Sequence, residues 1–160
     1  MGREVRRVPA DWQHPQNDEG DYIPMHPHFP YNEEEIAEGL AEGWLKGVPP
    51  NYGLDIMPQW EDSERTHWQM YEDTTEGTPI SPVMESPEEL ARWLADNGAS
   101  AFASMTATYD QWLATIYRGR ATDAVYLAGV YMSGVEFTSL LFEGELEARR
   151  AEADEVERRR

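Results

Sequence analysis

The clearest hydrophobic pattern in the chain lies in residues 78–98, where apolar side chains recur at helical spacing. The residues that would form the buried face of this helix are Leu90, Trp93 and Leu94. Ser86 stands where it can accept hydrogen bonds from the first free amides, and Gly98 stands where a helix ends in a left-handed conformation. The pattern predicts a helix over 87–97. The preceding segment 80–84 is apolar but broken by prolines, so it is predicted to be an extended edge strand or a strapped loop.

A second capped helix is predicted shortly afterwards. Thr108 and Gln111 have the spacing of a capping box, and Gly119 is placed to close the helix. The apolar positions between them are Trp112, Leu113, Ile116 and Tyr117. This pattern predicts a helix over 108–118.

The longest apolar stretch, from Val125 to Phe142, is interrupted only by Glu136 among charged residues. A segment that is hydrophobic nearly all round is typical of a buried helix. We therefore expect a helix over 123–142 to lie deepest in the fold, with the helices at 87–97 and 108–118 packed on it.

The N-terminal half has weaker patterns. Ile36, Leu40 and Trp44 repeat every four residues behind Asn32, a good N-cap, which predicts a helix over 33–46. The other predicted elements are a short strand at 3–8, an irregular wrap at 10–31 that is rich in proline and histidine, and a helix at 60–71 with Trp60, His67, Trp68 and Tyr71 on one side.

Together these elements predict a mainly α fold, with an α+β arrangement as the alternative. We expect a small helical domain with the irregular N-terminal wrap and at most a short two- or three-stranded sheet. The predicted domain spans 1–142. Residues 143–160 are almost entirely polar, so they are predicted to form a charged C-terminal helix or tail.

Composition supports a single folded domain outside the membrane. The chain has 160 residues, of which 40% are hydrophobic, and 18 aromatic side chains argue against global disorder. It has no cysteine, which excludes disulfides and thiolate metal sites. No signal peptide is visible, and the longest uncharged apolar run, 124–135, is too short to span a bilayer. We expect a soluble, cytoplasmic protein.

Charge is the most unusual property of the chain. The formal net charge is −18, and residues 10–96 carry 20 acids against three bases, or −17. Residues 97–142 carry only −1. A field of this sign attracts basic surfaces and repels nucleic acid. Three explanations of the acidity stay open: it keeps the protein soluble, it imitates the phosphate array of a nucleic acid, or it binds metal. Direct binding of nucleic acid is not expected.

Histidines are the candidate metal ligands. His26 and His28 flank a proline, and in an extended chain both imidazoles point to the same side, where one metal ion can meet them. The alternative is that the histidines are stacked or hydrogen-bonded within an aromatic-rich loop. His67 and Glu136 are the candidate catalytic groups. The alternatives are that His67 is a core or half-buried residue, and that Glu136 lies at the rim of the core or forms a salt bridge with Arg118 or Arg120. No phosphate-binding loop, dinucleotide fingerprint, H-E-x-x-H motif or nucleophile elbow is present.

Three stretches resemble a widespread group of small proteins encoded by tailed bacteriophages and prophages. They read REVRRVPADWQHP, DYIPMHPHF and WQMYEDTTEGTPISPVMESPEELARWLADNGASAFASMTATYDQWLA. The similarity covers about residues 3–16 and 60–117 and does not extend to 118–160. It implies a phage gene product that acts inside a bacterium, and it implies no activity, cofactor or catalytic residue.

The sequence therefore favours a non-enzymatic, phage-encoded protein that binds a host or phage protein with a basic surface. In its sharpest form the protein blocks a defence or nucleic-acid-handling protein by nucleic-acid mimicry. The predicted contact residues are Glu33, Glu34, Glu35, Glu38 and Glu42. The alternatives are a small metal-dependent enzyme acting on a nucleotide or signal molecule through His26 and His28, and a virion or assembly component. No cofactor and no membrane contact are predicted, and the oligomeric state is open.

Overall fold

A computed structural model describes residues 2–25, 31–48, 55–73 and 77–159 of the chain. These residues contain five strands and four helices. The strands are β1 (Arg3–Val8), β2 (His67–Glu72), β3 (Arg120–Ala121), β4 (Ala124–Leu127) and β5 (Val130–Ser133). The helices are α1 (Glu33–Glu42), α2 (Pro87–Asp96), α3 (Tyr109–Arg118) and α4 (Gly134–Arg159).

The predicted strand at 3–8 is confirmed as the centre of a three-stranded antiparallel sheet with the order β2-β1-β3. β1 and β2 pair along their whole length, from Arg3 opposite Glu72 to Val8 opposite His67. The segment 80–84 lies along the outer edge of β2, as predicted. There the Met84 and Trp68 backbones exchange hydrogen bonds of 2.8 and 2.9 Å.

The sheet separates two hydrophobic clusters, because side chains of a strand alternate between its faces. Met70 of β2 faces the larger cluster, which α2, α3 and the start of α4 complete. Its largest fully buried members include Leu90, Leu94, Trp112 and Val135. Tyr71 faces the smaller cluster, formed with Val8, Met25 and Met57. The N-terminal wrap therefore covers the face of the sheet opposite to the helices.

Both capped helices occur where the sequence predicts them. Ser86 Oγ accepts from the Glu89 amide at 3.1 Å, and Thr108 and Gln111 form the capping box of α3. Gly98 and Gly119 have positive φ angles of 59° and 97°. The predicted packing is only partly right, because α3 lies between α2 and α4, and α2 packs on α3 and β2.

The prediction of a mainly α fold is wrong. The domain is mixed α/β, with antiparallel sheets of three and two strands. One cause is the segment predicted as a helix over 60–71, of which 67–72 forms β2. Its aromatic residues have helical spacing by coincidence, whereas its neighbouring side chains Met70 and Tyr71 pack into opposite clusters, as a strand requires.

The second cause is the apolar stretch 123–142, which is not one helix. Residues 124–133 form the β4–β5 hairpin, and α4 begins only at Gly134. Ala128 and Gly129 form the two-residue turn, with φ angles of 49° and 83° that match the twist of a hairpin. Gly134 is required where the hairpin passes into α4, because a Cβ there would lie 1.8 Å from the Thr122 carbonyl oxygen.

The ends of the other helices also differ from expectation. α1 stops at Glu42 because Gly43 turns into a left-handed conformation with a φ of 81°, four residues before the predicted end. α4 continues without a break through 142–143 to Arg159. No helix in the described residues, α4 included, is long and apolar enough to cross a membrane.

Candidate functional site

The five glutamates predicted as contact residues all lie on α1, and all are exposed. Asn32 starts this helix through a complete capping box. Its Oδ1 accepts from the Glu35 amide at 2.9 Å, and its own amide donates to Glu35 Oε2 at 2.9 Å. The Glu35 carboxylate is therefore engaged in the cap. Glu33 and its two neighbours also lie in the first turn, where the helix dipole favours negative charge.

Glu34, Glu38 and Glu42 form a row along one side of α1, because residues four apart lie on the same face of a helix. A rise of 1.5 Å per residue places successive carboxylates about 6 Å apart along the axis. Among the described residues, none of these three carboxylates makes an ion pair. Like charges at this spacing destabilise a helix by about 0.2–0.5 kcal/mol per pair. The row is therefore present although it lowers the stability of α1.

The opposite side of α1 carries apolar side chains that are not fully covered. Leu40 is 48% exposed, and Trp44, just after the helix, is 50% exposed. The chain folds back over buried Gly39, where a Cβ would lie 2.7 Å from the Trp44 ring, and that ring meets Tyr31 edge-on at 5.4 Å. The helix therefore presents a fixed, half-exposed indole on the side opposite to its acidic row.

The acidic field extends beyond α1. Of the 19 acidic residues in the described parts of 10–96, 17 are exposed. They are Asp11, Asp18, Glu19, Asp21, Glu33, Glu34, Glu35, Glu38, Glu42, Asp55, Glu61, Asp62, Glu64, Glu85, Glu88, Glu89 and Asp96. Most of the negative charge of residues 10–96 therefore lies on the surface and is not buried in the fold.

The N-terminal arginines do not offset this field as a basic patch, because they serve the fold. Arg3 is only 2% exposed and donates to the Ser100 carbonyl oxygen at 2.8 Å and to Ser100 Oγ at 3.1 Å. Burial lowers the pKa of Arg3, and nearby carboxylates, first Glu72, act in the opposite direction. Arg6 pairs with Asp55 at 2.6 Å, and the Arg7 guanidinium lies 5.3 Å from the centre of the Trp68 ring.

His26 and His28, the predicted metal ligands, lie outside the described residues. Within the described parts of the chain, no three histidine or acidic side chains are grouped as a metal site. His14 has a structural role, because its Nε2 lies 2.6 Å from the Ile23 carbonyl oxygen and its Nδ1 lies 3.2 Å from the Tyr71 hydroxyl. Burial lowers the pKa of His14, which keeps the ring neutral.

The two other candidate groups take ordinary positions. His67 is half-buried on β2 and not on a helix, with Nδ1 2.9 Å from Thr66 Oγ1. Glu136 lies in the first turn of α4, where its amide donates to Ser133 Oγ at 3.1 Å. The charge of Glu136 is favourable there because it faces the positive end of the helix dipole. Neither position requires a catalytic explanation.

A cleft of about 430 Å³ between β3 and α4 is lined by both signs of charge. Arg120 lies 3.7 Å from Asp73 across its mouth, and the Arg118 guanidinium lies over the Phe142 ring at 4.4 Å. These two arginines were the expected partners of Glu136, and they have other contacts. The cleft therefore adds no group poised for chemistry to the acidic surface.

Comparison with protein-family models, with curated proteins and with solved structures gave no match for this chain. The function of the acidic surface therefore has to follow from its own residues.

Proposed function

We propose that this chain is an acidic binding protein that occupies the basic, nucleic-acid-handling surface of another protein. The observation that carries the proposal is the display of 17 exposed carboxylates in residues 10–96, with a row of three on α1. The contact residues are Glu33, Glu34, Glu35, Glu38 and Glu42, on a helix whose start is fixed by its capping box.

The charge density supports mimicry by the whole surface and not by α1 alone. One strand of B-DNA carries a phosphate every 3.4 Å or so of axis, whereas the row on α1 carries a carboxylate about every 6 Å. A single helix is thus roughly half as dense as one DNA strand. The exposed acids of the N-terminal wrap and of residues 61–64 add the remaining charge.

Trp44 and Leu40 supply exposed apolar side chains, which a phosphate array lacks. Exposed tryptophans are frequent anchors at protein interfaces, where they enter apolar pockets. An acidic row on one side of α1 and a half-exposed indole on the other suit a basic groove with an apolar recess. Recognition by this surface thus combines a screened, long-range attraction with a short-range apolar contact.

The resemblance of three sequence stretches to phage proteins supports a partner inside a bacterial cell, and the protein would then act in the host cytoplasm. A defence or nucleic-acid-handling protein of the host has the basic surface that this function requires. Blocking that surface would protect phage nucleic acid without any catalytic step.

The experiment compares three immobilised versions of the full chain in one bacterial lysate. They are the wild type, the triple variant Glu34→Gln/Glu38→Gln/Glu42→Gln, and a control with Glu143→Gln/Glu147→Gln/Glu152→Gln. The control removes the same charge from exposed positions on α4. The readout is the set of proteins held by the wild type and the control but lost from the α1 variant. The same proteins should be released by salt and by duplex DNA.

Electrostatics sets the expected size of the effect. Three surface charges at about 0.5–1 kcal/mol each correspond to a loss of about tenfold or more in affinity. If no protein distinguishes the α1 variant from the control, or if the captured proteins resist both salt and DNA, the proposed function is wrong.

A further inference from the structure

The hairpin and the start of α4 expose apolar side chains that the acidic binding function does not use. Six large hydrophobic side chains in 126–141 are 53–72% exposed. They are Tyr126, Leu127, Val130, Tyr131, Leu140 and Leu141. Soluble monomers rarely display a concentration of apolar side chains of this kind unless it forms an interface. Four of the six belong to the β4–β5 hairpin.

The hairpin also has free backbone groups on its outer edge. Its two-residue turn makes Leu127 and Val130 a hydrogen-bonded pair, so the next pair, Tyr126 and Tyr131, is a non-hydrogen-bonded pair. The backbone N–H and C=O groups of that pair point away from the hairpin. Among the described residues, no backbone group outside the hairpin bonds to them. An isolated two-stranded sheet is marginal in water, so a third strand would stabilise it.

The two edges are not equivalent. Along β5, the Tyr131 ring lies 6.2 Å from Phe102, so residues of the same chain flank this strand. Along β4, Tyr126 is 72% exposed, the most exposed large hydrophobic side chain among the described residues. β4 is therefore the less covered of the two strands, and its outer edge is the candidate for pairing with another strand.

We propose that this edge binds a second copy of the chain, with β4 pairing antiparallel to β4 of the partner about a two-fold axis. The result is a four-stranded sheet with Tyr126 and Leu127 on its two central strands. Such an interface is isologous, because the same patch serves both copies. Antiparallel pairing of identical edges meets this symmetry directly.

Charge identifies a second copy as the occupant. Residues 97–142, which include the hairpin, carry a formal charge of −1, whereas 10–96 carry −17. A basic partner is attracted to the acidic half, not to this nearly neutral edge. Another copy offers a surface that is equally apolar and equally neutral. The negative charge of that second copy lies mainly in its residues 10–96.

Salt separates this self-association from the proposed function. Two chains of −18 repel each other, and added salt screens that repulsion. Dimerisation should therefore strengthen with salt, whereas binding of a basic partner to the acidic surface should weaken. One inference can consequently fail while the other stands.

The first test measures the mass of the full chain by light scattering over a dilution series at low and high salt. The wild type should reach twice the chain mass of 18.4 kDa, with a lower dissociation constant at high salt. Tyr126→Lys should raise that constant by at least tenfold, because a charged side chain blocks edge pairing. This variant lowers the net negative charge, so added repulsion does not explain a loss. Leu40→Lys makes a similar change on α1 and should leave the dimer intact.

The second test uses the absence of native cysteine. Ala124→Cys, Val125→Cys, Tyr126→Cys and Leu127→Cys are oxidised separately, and Leu40→Cys serves as control. A two-fold pairing centred on β4 brings one of the four opposite its own copy, within the Cα separation of about 4.4–6.8 Å that a disulfide needs. Cross-linked dimer from that variant and none from the control is expected. A monomer at every concentration and salt, a dimer unaffected by Tyr126→Lys, or no selective cross-link would overturn the proposal.

Discussion

Replacing Glu38 by glutamine removes the central charge of the acidic row on α1 with almost no change in shape. Glu38 has a like charge four residues away on each side, Glu34 and Glu42. Each such pair destabilises a helix by about 0.2–0.5 kcal/mol, so the substitution should stabilise α1 by about 0.4–1 kcal/mol at low salt. The same substitution should weaken binding of a basic partner. The row thus has opposite effects on stability and on function.

Amide hydrogen exchange is the appropriate assay, because α1 makes few contacts with the other described elements and can open locally. The last turn offers direct reporters, since the Gly43 and Leu45 amides both donate to the Gly39 carbonyl oxygen at 3.0 Å. Their protection should rise about two- to fivefold in Glu38→Gln at low salt. At high salt the gain should largely disappear, because the repulsion is already screened.

Glu33→Gln is the matched control with the opposite sign. Glu33 lies in the first turn, where its charge interacts favourably with the helix dipole. Its removal should decrease protection of the same amides, by about 0.3–1 kcal/mol in opening free energy. Unchanged protection in Glu38→Gln, or an equal gain at low and high salt, would refute the claim that the row is held against repulsion.

Three further predictions concern the fold. Gly134→Ala should lower the free energy of unfolding, measured by urea denaturation, by about 3 kcal/mol or more, because the new Cβ would collide with the Thr122 carbonyl oxygen. Gly47→Ala is the control and should be near neutral, because no atom of the described residues, its chain neighbours aside, lies within 4 Å of its new Cβ. Ala128→Gly should raise the same free energy by about 0.5–1 kcal/mol, because it relieves a positive φ. The lowered pKa of His14 means that the unfolded chain binds more protons, so stability should fall from about pH 7 to 5 more steeply in the wild type than in His14→Gln. Equal slopes would contradict this assignment.

The helices that the sequence predicted correctly are those whose ends carry chemical signals. Ser86 and Thr108 cap α2 and α3, and glycines with positive φ follow each. These signals act over one turn, so they do not depend on the rest of the fold. The end of α1 was missed because Gly43, and not the glycine at 47, takes the left-handed conformation.

The two wrong helices arise where periodicity does not distinguish a helix from a strand. In 124–133, apolar residues occupy nearly every position, whereas in 67–72 the aromatic residues happen to have helical spacing. Pairing with β1, which is distant in sequence, decides the outcome for 67–72, and the turn at Ala128 and Gly129 decides it for the hairpin. That turn lacks the usual Asn-Gly or Asp-Gly signal, so local chemistry did not reveal it.

The candidate site was predictable only in part. Exposure of the glutamates on α1 follows from their charge, and the structure agrees. The half-exposure of Trp44 does not follow from the sequence, because its four-residue spacing from Leu40 is also that of a core-facing position. The outer edge of β4 is not predictable either, because the apolar pattern of 124–133 does not distinguish a hairpin from a helix.

The most direct test of the acidic binding function is the affinity of one captured partner for the wild type and for Glu34→Gln/Glu38→Gln/Glu42→Gln over a salt series. The proposed function predicts that wild-type affinity falls steeply between ~50 and ~500 mM salt, as the screening length shortens. It also predicts that the α1 variant binds about tenfold more weakly or worse at the low end, that this difference closes at high salt, and that duplex DNA competes. Affinity that is indifferent to salt and equal for the two proteins would contradict it.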